Sequence, residues 1–329
     1  MDPHRKIRIG LALGSGSARG WSHVGVIRAL QRAGIEPDLV CGSSIGALVG
    51  AAYAAGQIDR LEPWVGSLTR QGVMSLIDLK LSSGMIEGRK LVDYFRSHFD
   101  DPGIEALPRP FACVATELDT GREVWLRDGP VIEAVRASIA LPGLFTPARR
   151  DGRLLVDGGL VNPVPVSLCR AMGADVVIAV DLNWDLVGRR SRPAPSLYAQ
   201  PTQSPEPESD AEADTEVEAD ADAKADDKAA SGKAGRLRGL DTLWRRLWPS
   251  SDGPPALPMP SMLGVLTASL NIMQVRITNS RLAGEPADVV IRPRVSGIGP
   301  MDFHRGELAM AEGLRAAEHA MPLLRELLA

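Results

Sequence analysis

Apolar residues in this chain fall into short continuous runs that end at glycine, separated by stretches with helical spacing. Ile7 to Leu13 is the first such run, and it stops at Gly14, which predicts a buried strand. The loop Gly14-Ser15-Gly16-Ser17-Ala18-Arg19-Gly20 follows. Trp21 to Ala33 then carries Val24, Ile27, Ala29 and Leu30 at helical intervals, with Gly34 as its stop. A second apolar run, Asp38-Leu39-Val40, enters Cys41-Gly42-Ser43-Ser44-Ile45-Gly46 and continues into the small-residue stretch Ala47 to Gly56. Strand, glycine loop, helix and strand in this order make a βαβ unit, and hence a parallel sheet covered by helices.

Further along, Leu61 to Phe99 is helical in pattern but broken by Gly72 and Gly84, which suits a cap over a cleft. Residues 111–116 and 123–126 read as strands, and Pro130 to Ala137 as a helix with proline in its first turn. A proline-punctuated apolar loop, residues 137–147, precedes the short strand Leu154-Leu155-Val156 and its continuation Asp157-Gly158-Gly159. Asp175 to Asp181 has the pattern of a central strand. After residue 260 come a long helix to Arg281, a strand over 288–291 and an amphipathic helix from Asp302 to Leu328. The fold class predicted is α/β, and the terminal elements are expected to complete the same domain.

Composition changes this picture in one place. The chain has 329 residues, 44% of them hydrophobic, and a net charge of −4. Between Pro205 and Lys228 eleven Asp or Glu face two Lys, a local −9, so the rest of the chain is mildly basic at +5. Large apolar residues almost vanish over 189–235, which therefore cannot offset its ordering entropy and reads as a disordered acidic insertion or linker. Residues 236–248 place Leu237, Leu240, Trp244, Leu247 and Trp248 on one helical side and Arg238, Arg245 and Arg246 towards the other. That pattern suits an anionic membrane surface, and an ordinary helix covering the core fits it equally. Cys41, Cys113 and Cys169 are widely spaced and read as reduced core thiols. No apolar run is long enough for a signal peptide or a membrane span, so a cytoplasmic location is expected, at most peripheral at the inner face of the membrane. No nucleic acid partner is expected.

Two stretches carry candidate chemistry. Gly42-Ser43-Ser44-Ile45-Gly46 is a G-x-S-x-G sequence between a strand and a helix, an arrangement that exposes a serine hydroxyl at a strained corner. The glycine loop has two readings. As a dinucleotide fingerprint it fails, because the third glycine would fall at position 19, which is Arg19. As an oxyanion hole it works: successive small residues at a helix N-terminus aim their N–H groups at one spot. In a βαβ unit this loop and Ser44 share a crevice.

The serine needs a base. Five histidines are present, His4, His23, His98, His304 and His319, and Ser44, Asp157 and His304 or His319 stand in the chain order of an α/β-hydrolase triad. That fold places its elbow deeper in the sheet, whereas Ser44 follows only the second strand. Asp157 is the better candidate, since a carboxylate in a dry cleft, hydrogen-bonded directly to the hydroxyl, can serve without histidine.

Four motifs in this order, the 14–20 loop, Gly42 to Gly46, Ala137 to Pro147 and Asp157-Gly158-Gly159-Leu160-Val161-Asn162-Pro163-Val164-Pro165, resemble those of the patatin-like phospholipases, closest to the bacterial RssA type. The resemblance spans about residues 5–185, with Asp302-Phe303-His304-Arg305 echoing the tail of the bacterial type. It implies a three-layer α/β/α patatin-like fold with a mainly parallel central sheet. It also implies a Ser44 nucleophile, an Asp157 general base, and an oxyanion hole drawn from Gly14, Ser15, Gly16, Ser17, Arg19 and Gly20. Gly42, Gly46, Gly158 and Gly159 would shape the elbow and the acid loop. The reaction implied is hydrolysis of phospholipid or other lipid esters through an acyl-serine, with no metal or cofactor. The rival reading is a lipid-binding or regulatory module with little turnover. Ser15 stands where many members have glycine, a harmless change if its N–H alone is used.

Overall fold

In a computed structural model of the chain, residues 6–76, 79–80, 85–98, 101–186 and 262–329 are described. The acidic insertion and the basic stretch 236–248 lie outside them. The described strands are β1 (Ile9–Leu13), β2 (Leu39–Ser43), the two-residue β3 (Leu79–Lys80) and β4 (Met85–Ile86), β5 (Phe111–Glu117), β6 (Glu123–Leu126), β7 (Ala148–Arg150), β8 (Arg153–Asp157), β9 (Val176–Val180) and β10 (Val289–Ile291). The helices are α1 (Ser22–Arg32), α2 (Ile45–Ala54), α3 (Ile58–Ser67), α4 (Arg70–Ser75), α5 (Arg89–His98), α6 (Val131–Ser138), α7 (Val166–Ala171), α8 (Met262–Gly284) and α9 (Gly306–Leu328).

The main sheet runs β10-β9-β1-β2-β5-β8-β7, with β6 also paired to β5. From β10 to β5 all pairings are parallel, and beyond β5 they are antiparallel. Central strands β1, β2 and β9 bury almost every residue because helices cover both faces. That is the predicted α/β/α layering, and its parallel centre needs the helical crossovers that the periodicity supplied.

The apolar core separates into two clusters, one for each face. One joins Leu11, Leu13 and Val180 to α1, α2, α6 and α9. The other joins Ala12, Cys41, Val114 and Ala179 to residues 164–169 around α7. Helices α1 and α9 touch backbone to backbone: a Cβ on Gly25 would sit 1.9 Å from the Met310 carbonyl oxygen, and one on Gly313 1.9 Å from that of Ser22. Among the described residues no helix is long and apolar enough to cross a membrane.

Candidate active site

Strand β2 runs straight through Cys41-Gly42-Ser43, and the chain turns at Ser44 into α2. Ser44 has φ 56° and ψ −127°, a conformation costly for a residue with a Cβ and found where the surroundings enforce it. Close packing does the enforcing. A Cβ on Gly42 would lie 2.3 Å from the Gly46 carbonyl oxygen, and one on Gly46 2.2 Å from that of Leu13, so only glycines let α2 begin this near the strands. One further contact holds the corner. The Ser44 N–H donates to Ser138 Oγ at 2.9 Å, and the Ser138 hydroxyl donates to the Val114 carbonyl at 2.6 Å.

Antiparallel β8 ends beside this corner, with Asp157 in register with Ala115 of β5. Ser44 Oγ donates to Asp157 Oδ2 at 2.6 Å, and the Gly159 N–H donates to Asp157 Oδ1 at 2.7 Å. The backbone of Asp157 is fixed as well: its N–H donates to the Ala140 carbonyl at 3.0 Å, and the Thr116 hydroxyl donates to its carbonyl at 2.8 Å. Gly158 is required by space, since a Cβ there would meet the Val114 carbonyl oxygen at 2.2 Å. Asp157 is 1% exposed. Burial pushes its pKa up to about 6, against the opposing hydrogen bonds from Ser44 and Gly159. The carboxylate is thus mostly ionised at neutral pH, yet a stronger base than an exposed aspartate.

The glycine loop lies beside the same serine, and its N–H groups are not equivalent. Those of Gly14 and Ser15 donate to the Val180 and Pro163 carbonyls at 3.1 and 2.8 Å, and that of Arg19 to Gly16 at 3.2 Å. The expectation that Ser15 offers its N–H is therefore corrected: that group ties the loop to Pro163, in the segment that leads into α7. The N–H groups of Gly16 and Ser17 begin a helical turn that runs on into α1, where the first donors lack partners within the helix. Both residues line the cleft, with Ser17 at φ 51°. Gly20 is a packing glycine, since a Cβ there would sit 2.2 Å from the side chain of Ile45.

Arg19 is buried, and its Nε donates to the Gly16 carbonyl at 2.9 Å. Burial lowers its pKa to about 10 despite the charge of Asp185, so it stays cationic at neutral pH and braces the loop from within. Asn183 adds a second brace, donating to the Ser15 carbonyl at 3.2 Å and to Gln274 of α8 at 3.2 Å.

Among the described residues, none of those lining the cleft at Ser44 is a histidine. His23 is fully buried under the loop, where its Nε2–H donates to the Gly14 carbonyl at 2.7 Å, and burial drops its pKa to about 4. His304 accepts from Arg70 at 3.2 Å, while His98 stacks on Tyr94. The three cysteines are free and buried, and burial holds Cys113 up at about 12.

An apolar cleft opens at Ser44 and Asp157, walled by Trp21, Trp64, Phe95 and Phe145 among others. Helices α3, α4 and α5 form its cap, as the broken helical pattern of 61–99 predicts. A second lobe of the cleft, under α8, is lined by Arg19, Asn271 and Gln274.

Sequence comparison agrees with this geometry. Residues 11–170 match the model of a family described as Patatin-like phospholipase. An uncharacterized NTE family protein of Mycobacterium tuberculosis is 34% identical over 340 residues, covering 95% of this chain and 91% of that one. The chain belongs to the patatin-like phospholipase family. Within the family, it is also 38% identical over 183 residues to human patatin-like phospholipase domain-containing protein 6, covering 53% of this chain and 13% of that protein. A patatin-like phospholipase domain-containing protein of Caenorhabditis elegans is 40% identical over 186 residues, with 53% and 14% covered. These matches support lipid hydrolysis as the general activity, and the finer RssA type rests on motif resemblance alone.

Proposed function

We propose that this protein is a serine acyl hydrolase that cleaves phospholipid or related lipid esters through a Ser44–Asp157 dyad. The reading rests on one observation above the others, the 2.6 Å hydrogen bond from Ser44 Oγ to Asp157 Oδ2 in the lining of an apolar cleft. In the first half-reaction Ser44 Oγ attacks the ester carbonyl carbon while its proton passes to Asp157 Oδ2. The carbonyl oxygen takes up negative charge near the N–H groups of Gly16 and Ser17, at the positive end of a helical turn. Collapse of that intermediate breaks the bond to the alcohol, which leaves with the proton from Asp157. In the second half, Asp157 takes a proton from water as it attacks the acyl-serine, then returns it to Ser44 as the fatty acid departs. No other base enters the cycle.

Residues 236–248 belong to the same reading as a peripheral contact with the inner face of the membrane, in a cytoplasmic protein. Deleting them is expected to weaken binding to anionic liposomes while a soluble short-chain ester is still hydrolysed, and unchanged liposome binding counts against that contact.

A panel of p-nitrophenyl esters, lysophospholipids and diacyl phospholipids tests the activity. Wild type is expected to hydrolyse at least one class, with Ser44→Ala at least about 1,000-fold slower. Hydrolysis by Ser44→Ala at the wild-type rate overturns the reading, and lipid binding without any Ser44-dependent turnover favours a binding or regulatory module.

A further inference from the structure

A second apolar chamber lies directly behind the cleft at Ser44. It is lined by the small residues Ala51 and Ala52 of α2, by Ala55 just past the end of that helix and by Val131 and Val135 of α6, and neither Ser44 nor Asp157 lines it. Four side chains border both spaces: Leu48, Leu91, Phe95 and Ile139. Leu48 and Ile139 belong to the scaffold of the dyad, since α2 begins directly after Ser44 and Ile139 follows Ser138. Leu91 and Phe95 come from α5, a helix that buries none of its residues fully. The wall between the chambers is therefore carried in part by a lightly packed element of the cap.

The ring of Phe95 is held by other rings. It meets Trp64 edge-on at 5.5 Å and Tyr94 at 6.0 Å, and Trp64 in turn meets Trp21 at 5.8 Å. Such contacts favour one orientation of the ring. Both chambers are mostly apolar on either side of it, and the polar side chains lining the space behind the wall are Gln57 and Arg136.

We propose that Phe95, assisted by Leu91, is the residue that limits acyl-chain length in this protein, by closing the cleft at Ser44 off from the apolar chamber behind α5. The proposal rests on the acyl hydrolase reading for its substrate, and on the shared wall of the two chambers for its mechanism. An acyl chain bound with its carbonyl at Ser44 extends along the apolar cleft until it meets Phe95. Removing the ring joins the two chambers and gives a longer chain somewhere to go. Burying each further methylene is worth about fourfold in kcat/KM or in affinity, so room for two more changes the ratio of long to short chains by about 15-fold.

Two measurements on the full chain test this. The first is the kcat/KM profile over p-nitrophenyl esters of increasing chain length for wild type, Phe95→Ala and Phe95→Trp. The second is the affinity of the corresponding free fatty acids for Ser44→Ala with and without Phe95→Ala, which needs no turnover. We expect Phe95→Ala to raise the long-to-short ratio by about 15-fold in both measurements, and Phe95→Trp to lower it. A Phe95→Ala profile parallel to wild type, whatever its absolute height, overturns the proposal. Absence of Ser44-dependent hydrolysis together with the expected shift in fatty-acid affinity would instead sink the hydrolase reading and leave the wall standing.

Discussion

Ser138 Oγ accepts the backbone N–H of Ser44 at 2.9 Å across 94 residues of sequence, and its hydroxyl donates to the Val114 carbonyl at 2.6 Å. This buried hydroxyl ties the C-terminus of α6 to the strained corner of the elbow and to strand β5. Two residues on, the Ala140 carbonyl takes the N–H of Asp157. One short stretch of chain therefore sets the positions of both members of the dyad.

Ser138→Ala is expected to leave the Ser44 N–H buried without its acceptor, at about 1–3 kcal/mol. Relaxation of the corner should lower kcat by about 10- to 100-fold with little change in KM. The rate at which a fluorophosphonate labels Ser44 is the readout that separates this from simple loss of stability, and it should fall in step with kcat at temperatures where the variant is fully folded. An unchanged labelling rate contradicts the positioning role.

Asp157 has a pKa raised to about 6 by burial, and activity needs the carboxylate. The acid limb of kcat/KM should therefore lie near pH 6, with activity lost below it. An acid limb near 4 would mean that the group doing the work is solvated.

The same shift makes a prediction about stability with a definite sign. A folded-state pKa above the unfolded value of 3.8 means that the protein prefers Asp157 neutral, a preference fully satisfied at low pH and lost as pH rises through 6. At neutral pH the buried carboxylate costs on the order of 3 kcal/mol. Asp157→Asn should thus be inactive and, at pH 7 to 8, more stable than wild type in thermal denaturation. That gain should shrink as pH falls below about 6. Loss of stability at all pH values would show that the hydrogen bonds of the carboxylate outweigh its burial.

His23 acts in the opposite direction. Burial keeps it neutral down to about pH 4, whereas an unfolded histidine takes a proton near 6.5, so its contribution is lost as pH falls from 6.5 towards 4. In wild type the two slopes largely cancel. In an Asp157→Asn background the histidine slope is exposed, and His23→Gln should flatten the pH dependence of melting there. An unflattened profile in the double variant assigns acid lability elsewhere.

The main strands were legible in the sequence because a doubly covered parallel sheet writes itself as short apolar runs, as in Ile9–Leu13 and Val176–Val180. Helices α1, α2 and α6 were legible from spacing and from Gly34 and Pro130 at their ends. Strand β7 and helix α7 were not, the first because it is three residues with charged side chains, the second because it is six residues following prolines. Ser44, Asp157 and the loop could be named because their motifs are local. Thr116, Ser138 and Asn183 carry no local signal: each acts through a partner 41 to 168 residues away, a distance that only the folded sheet closes. The division of labour within the loop was hidden for the same reason, since the acceptors of Gly14 and Ser15 lie in β9 and at Pro163.

The most direct test of the central claim is a single mass measurement. Wild-type protein is treated with an alkyl fluorophosphonate, digested, and the modified peptide is mapped. We predict one adduct, on Ser44, formed at a rate that falls by about 100-fold or more in Asp157→Asn. An adduct on another residue, or labelling of Ser44 that is indifferent to Asp157, contradicts the dyad.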